Sequence, residues 1–242
     1  MVTWMENNTL SETVSISSEP ELTPDTDSAR DDKEANHEKT QRKQDESKAR
    51  IIRSAMKLFA ERGFFETRIP EIAAHAKVGV GSLYRHFRNK DDIFNEAFRT
   101  AAHEFSKFFD EASLKNSSPR ERFFDFWQGL GTFSHRKLDQ LILIERNLSS
   151  YLLDEESRKE ANLLRKKISD YFTPFPGETH LQSVYPSIIL GSFTGILRSQ
   201  AISDKRLETA ILKESAEMLW DGFSKLPKSE PNKKKEKQNR KS

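Results

Sequence analysis

Between Ser82 and Lys90 the chain groups a hydroxyl, a phenol, a guanidinium, an imidazole and an ammonium, on Ser82, Tyr84, Arg85, His86 and Lys90. In a helix over about 80–87, Leu83 and Phe87 stand four apart and form an inner apolar stripe. Val80, Gly81, Ser82, Tyr84, Arg85 and His86 remain on the outer side. Donors presented this way suit phosphate oxygens and base edges in a DNA major groove, where a guanidinium pairs with guanine through two bonds. Gly81 would let the backbone approach the duplex closely. Enzyme chemistry finds no such grouping. None of His103, His135 and His180 has a second histidine or a glutamate at metal-ligand spacing. There is no glycine-rich phosphate loop, no nucleophile elbow and no cysteine. Asp154, Glu155 and Glu156 read as a charged helix start. No catalytic residue, metal or cofactor is expected.

The elements that must position this group are helical. Ser47 is placed to cap a helix in which Ile52, Ala55, Met56 and Phe59 follow helical spacing. Gly63 is placed to end it in a left-handed cap. Thr67 reads as the cap of a second helix, with Pro70 in its first turn and Ile72, Ala73 and Ala76 on its buried face. The turn Lys77-Val78-Gly79 leads into the third helix, and Asn89 caps a fourth whose Asp91 and Asp92 complement the dipole. Two short helices joined by so tight a turn are a helix-turn-helix.

The run Thr67 … Glu71-Ile72-Ala73 … Ala76-Lys77-Val78-Gly79-Val80-Gly81-Ser82-Leu83-Tyr84-Arg85-His86-Phe87 … Lys90 … Ile93 closely resembles the head of the tetracycline-repressor (TetR) family. Ala55 … Leu58-Phe59-Ala60-Glu61-Arg62-Gly63-Phe64 resembles that family's first helix and its exit. Two positions depart from the pattern. Lys77 stands where glycine is common, and Gly79 where serine is common, which removes a capping and phosphate-bonding hydroxyl. The resemblance implies that Tyr84 and His86 touch phosphates and that Ser82 lies near base edges or sugar. Lys90 and Thr67 would hold phosphates at helix N-termini. Taken singly, Tyr84 also fits a half-buried packing position, His86 an ordinary surface histidine and Lys90 a solvated lysine.

Behind the head the sequence reads as an all-α body, for about nine helices in total. Phe105, Phe108 and Phe109 continue the fourth helix on an apolar stripe. Ser118-Pro119 starts an aromatic-rich helix bearing Phe123, Phe124, Phe126, Trp127 and Phe133. Further helices fall at about 136–147, 154–172, 181–202 and 204–225, broken by the linker Thr173–Gly177. Phe126, Trp127, Phe133, Tyr151 and Tyr171 are candidates to line an effector pocket, with Gln128 and His135 to orient a ligand; core packing is the alternative for each. The resemblance implies a dimer built from the last two long helices. Gly191 and Gly195, one turn apart, with Ile188 on the same helix and Ile211 and Met218 on the last, are the candidate interface. Close packing within one chain would explain the glycines equally well.

The net charge of +2 conceals a polarised chain. Residues 1–46 carry twelve acids against five bases and few apolar groups, so a disordered acidic tail is expected there. Residues 47–95, the DNA-binding domain, carry ten bases against five acids. Residues 96–226 form the expected effector-binding and dimerisation domain. The other tail, 227–242, is basic, is also expected to be disordered and would add nonspecific attraction to nucleic acid. Met1 to Leu10 lacks a signal-peptide pattern, and Ile188 to Leu197 is too short and too broken to span a membrane. A cytoplasmic homodimer on double-stranded operator DNA is expected, released by a small apolar or aromatic effector. The alternative is a constitutive regulator or an activator without an effector.

Overall fold

The computed structural model describes residues 26–111, 118–172, 184–202 and 209–226. The chain divides into two units, residues 1–44 and 45–242. Among the described residues there are eight helices and no strand.

The first helix, α1, runs from Thr26 to Arg62. It begins well before the expected cap at Ser47, which lies buried inside it. Residues 26–46, expected to be tail, are therefore helical, and the side chains of residues 36–46 are exposed. The sequence there is rich in Ala, Glu, Lys, Gln and Arg, which lose little freedom in a helix and need no packing partner to favour one. From Ile51 onward α1 has a buried face of Ile51, Ile52, Ala55, Met56 and Phe59. It stops at Gly63, whose φ of +86° is left-handed and whose N–H bonds the Phe59 carbonyl at 2.9 Å.

Helix α2 (Ile69–His75) is capped by Arg68 rather than by Thr67, with the Glu71 carboxylate accepting the Arg68 N–H at 2.9 Å. It ends in a Schellman turn: Val78 N–H bonds the Ala73 carbonyl and Lys77 N–H that of Ala74. Lys77 carries the turn at φ +55°. That is the physical reason a glycine is usual at this place. Helix α3 (Val80–His86) starts from an extended Gly79 and stops at an extended Phe87. Helix α4 (Lys90–Glu111) is capped by Asn89, whose Oδ1 accepts the Asp92 N–H at 2.8 Å.

Helix α4 belongs to both halves of the second unit. Its buried Ile93, Phe94, Ala97 and Phe98 continue into Phe105 and Phe109, so one apolar core runs from head to body. Helix α5 (Pro119–Asn147) opens with a capping box between Ser118 and Glu121. The two helices expected at 119–133 and 136–147 are one element with a break at Lys137, where φ is −138° and ψ 40°. Helix α6 (Glu155–Phe172) is capped by Asp154, which accepts the Ser157 N–H at 2.7 Å. Helices α7 (Tyr185–Ile202) and α8 (Thr209–Ser224) pack on α5. The linker Thr173–Gly177, His180, Leu207 and the tail 227–242 lie outside the described residues.

Candidate nucleic-acid interface and body cavity

Helix α3 is held by two anchors, Leu83 and Phe87, both buried, as its apolar spacing requires. Its opposite side is open. Val80, Gly81, Tyr84 and Arg85 are exposed, and Ser82 and His86 are half-buried. Tyr84 keeps 51% of its surface exposed, which excludes a packing role. Its ring and the Arg85 guanidinium have no hydrogen-bond or ionic partner among the described residues. Neighbouring Arg88 is instead paired with Asp92 through a 2.9 Å bond from Nε, which lowers the Asp92 carboxyl below its usual range. Space beside Gly81 is free, so nothing in the protein keeps that backbone from a ligand surface.

Two of the expected phosphate ligands are occupied elsewhere. Thr67 is 0% exposed, and its hydroxyl donates inward, at 2.8 Å to the Gly63 carbonyl. It closes the α1–α2 corner and is removed from any phosphate. Lys90 donates from Nζ to the Phe64 carbonyl at 2.9 Å and to that of Thr67 at 3.1 Å, 4.2 Å from the centroid of the Phe64 ring. Two of its three donors thus tie α4 to the same corner. Neither bond is legible in sequence, because each spans more than twenty residues to a backbone atom.

Head and body are joined by a buried polar clamp that sequence reasoning missed. Asn95, on α4, donates to the Leu152 carbonyl at 3.1 Å and accepts the Asp154 N–H at 2.8 Å. Arg99 bridges Glu96, Asp154 and Glu156, and Glu96 also holds Lys48 of α1. Desolvation raises the Glu96 pKa, but the bonds from Lys48 and Arg99 outweigh it and leave the carboxyl below its usual value. From the far end of α5, Arg146 donates to the Ala60 carbonyl at 2.8 Å.

The body holds a cavity of about 990 Å³ between α5, α7 and α8. Of the five aromatic pocket candidates only Trp127 lines it, together with Gln128 and His135. Phe126 and Tyr171 pack on Phe109 and Phe172 in the core, and the Tyr171 hydroxyl donates to the Arg122 carbonyl. Burial pushes that phenol up to about 12. Phe133 packs on Phe105. Tyr151 is 78% exposed in the turn after α5, away from the cavity. Helical spacing alone does not say which aromatic faces a void and which faces a neighbour.

The candidate interface residues share the outer side of α7 and α8. Ile188 is 42% and Met218 70% exposed, Gly195 is exposed, and Gly191 and Ile211 are half-buried. A methyl group on Gly191 or Gly195 would meet nothing within 4 Å. Close packing within one chain therefore does not explain these glycines.

A helix-turn-helix with its second helix, α3, turned outward has the form of a DNA-reading head. The family of bacterial regulatory proteins called tetR matches residues 51–97. HbdR, a transcriptional regulator from Aromatoleum sp. (strain CIB), is 47% identical over 49 residues, which are 20% of this chain and 21% of HbdR. The chain therefore covers about a fifth of that relative's length. The body is similar in fold alone. A tetR-family regulator from Rhodococcus RHA1 superposes with a TM-score of 0.60 at 16% identity, covering 76% of this chain and 98% of that one. FadR of Bacillus subtilis, in complex with stearoyl-CoA, gives 0.52 at 18% identity over 71% and 96%. Residues 51–97 are thus similar in sequence to tetR-type regulatory proteins, and the described helices share the fold of tetR-family structures.

Proposed function

We propose that this protein is a ligand-released repressor that binds operator DNA as a homodimer in the cytoplasm, with no catalytic step. The observation that carries the reading is the cavity in a body that shares α4 with the reading head. Arg85 and Ser82 discriminate bases, while Tyr84 and His86 meet phosphates and fix the register. Two heads on one palindromic operator need two chains, and the apolar outer side of α7 and α8 supports pairing there. A ligand in the cavity would shift α5 against α4, and the Asn95–Asp154 clamp would carry the shift to the spacing of the heads. FadR's complex with stearoyl-CoA supports a small-molecule ligand for a protein of this fold.

The test is binding of the full chain to its own upstream DNA across a salt series, beside Tyr84→Ala and Arg85→Ala. Tight, selective binding with a steep salt slope, lost in both variants, is the expected result. Unselective binding that neither substitution alters would refute the reading of α3. Operator affinity unchanged by every ligand that binds the body would leave a constitutive DNA-binding protein instead.

A further inference from the structure

The cavity lining has a sign as well as a shape. Its floor is apolar and includes Phe124, Trp127, Leu197 and Leu212. Among the described residues, the charged side chains that line it are Arg136 and Lys213, both exposed, with no aspartate or glutamate beside them in the lining. Neither cation has a carboxylate partner among the described residues. Gln200 adds a buried Oε1 with no hydrogen-bond partner. Buried amide oxygens are normally satisfied, so this one suits a hydroxyl or N–H donor on the ligand rather than its acidic group. We infer that the cavity binds an amphipathic organic anion, with an aromatic or alicyclic body on Trp127 and Phe124 and its acidic group between Arg136 and Lys213. This rests on and deepens the reading of the body as a sensor, and adds a charge to the small apolar or aromatic effector expected from sequence.

The pairing surface and this site do not compete for the same residues. Along α8, Thr209, Leu212, Lys213 and Ala216 recur at helical spacing toward α5, while Ile211 and Met218 lie about half a turn round. Along α7, Leu197 and Gln200 face inward, while Ile188 and Gly195 face out. A second chain on the outer side therefore leaves the cavity to a small molecule. The volume suits a drug-sized ligand.

Two fluorescent probes with one ring system separate charge from greasiness: 1-anilinonaphthalene-8-sulfonate and the uncharged N-phenyl-1-naphthylamine. The full-length protein is titrated with each, beside Arg136→Gln/Lys213→Gln, Lys213→Gln alone and Thr132→Trp. All the substituted residues are exposed, and circular dichroism melts verify the fold. The sulfonate should bind more tightly than the neutral amine and lose about tenfold in affinity in the double variant, with the amine unchanged. Thr132→Trp, which fills the cavity, should weaken both. The inference is overturned if neither probe binds, if the amine binds as tightly as the sulfonate, if the charge variants leave the sulfonate unaffected, or if Thr132→Trp leaves it bound. Operator affinity is read in parallel. Charge-dependent probe binding without operator release would keep this site and refute release by ligand, so the two failures are distinct.

Discussion

The ammonium of Lys90 bonds two carbonyls of the α1–α2 corner and sits against the Phe64 ring. Lys90→Ala would strip both carbonyls of a charged donor and remove the cation–π contact. Lys90 is half exposed, so each bond is worth less than in a dry interior, and the loss totals about 2 kcal/mol. For a folded unit of this size that lowers Tm by about 4–8 °C, compared at one protein concentration because a dimer's stability depends on it. A lysine that served only a DNA phosphate would behave in the opposite way. Its loss would leave Tm alone and reduce the slope of log affinity against log salt by about 0.9 per phosphate contact. The assay is a thermal or urea melt of Lys90→Ala together with operator binding at several salt concentrations, with Arg85→Ala as reference. Arg85 is exposed and unpaired, so its variant should melt within about 0.5 kcal/mol of the parent and lose base discrimination. A Lys90→Ala protein with native stability and a shallower salt slope would refute the corner role.

Other outcomes follow from the same geometry. Lys77→Gly relieves a left-handed lysine but loosens the unfolded chain, for a net gain of about 0.5 kcal/mol in a denaturant melt. Gly79→Ser adds a cap at an extended N-cap position, worth a few tenths of a kcal/mol, roughly as Ser exceeds Gly there. It should also tighten DNA binding at low salt through a new phosphate donor. Met218→Asp on the outer side of α8 should shift sedimentation from dimer toward monomer and weaken operator binding, without lowering affinity for the sulfonate probe. Acid stability should depend on Glu104, which Lys137 and then Lys107 hold at a pKa of about 2. An unfolded glutamate titrates near 4.5, so this contribution is complete above about pH 4.5 and fades as pH falls toward 2. Glu104→Gln should lower stability at neutral pH and flatten its decline across that window. An unchanged pH profile would mean the ion pair carries no stability.

Local chemistry determined the head from sequence alone. Leu83 and Phe87 announce the buried side of α3, Gly63 and Asn89 announce a stop and a start, and in the body Ser118-Pro119 announces the start of α5. Each signal lies within a few residues, because caps, turns and helical periodicity are short-range effects. The family pattern was legible for the same reason, and the open angle at Lys77 explains in hindsight why glycine is the usual residue there. Tertiary structure decided what each side chain was free to do. Thr67 and Lys90 have the right types and spacing for phosphates, yet their donors are taken by carbonyls that meet them only once the α1–α2 corner has folded. Phe133 and Trp127 carry the same aromatic signal, and only the packing of α4, α7 and α8 sets one against Phe105 and the other beside the cavity. Arg136 and Lys213 are seventy-seven residues apart in the numbering, on different helices, and no pattern along the chain brings them together. Periodicity tells a residue which side of its own helix it occupies. What lies across from that side is set by the packing of helices distant in sequence, and there the charge and shape of the cavity arise.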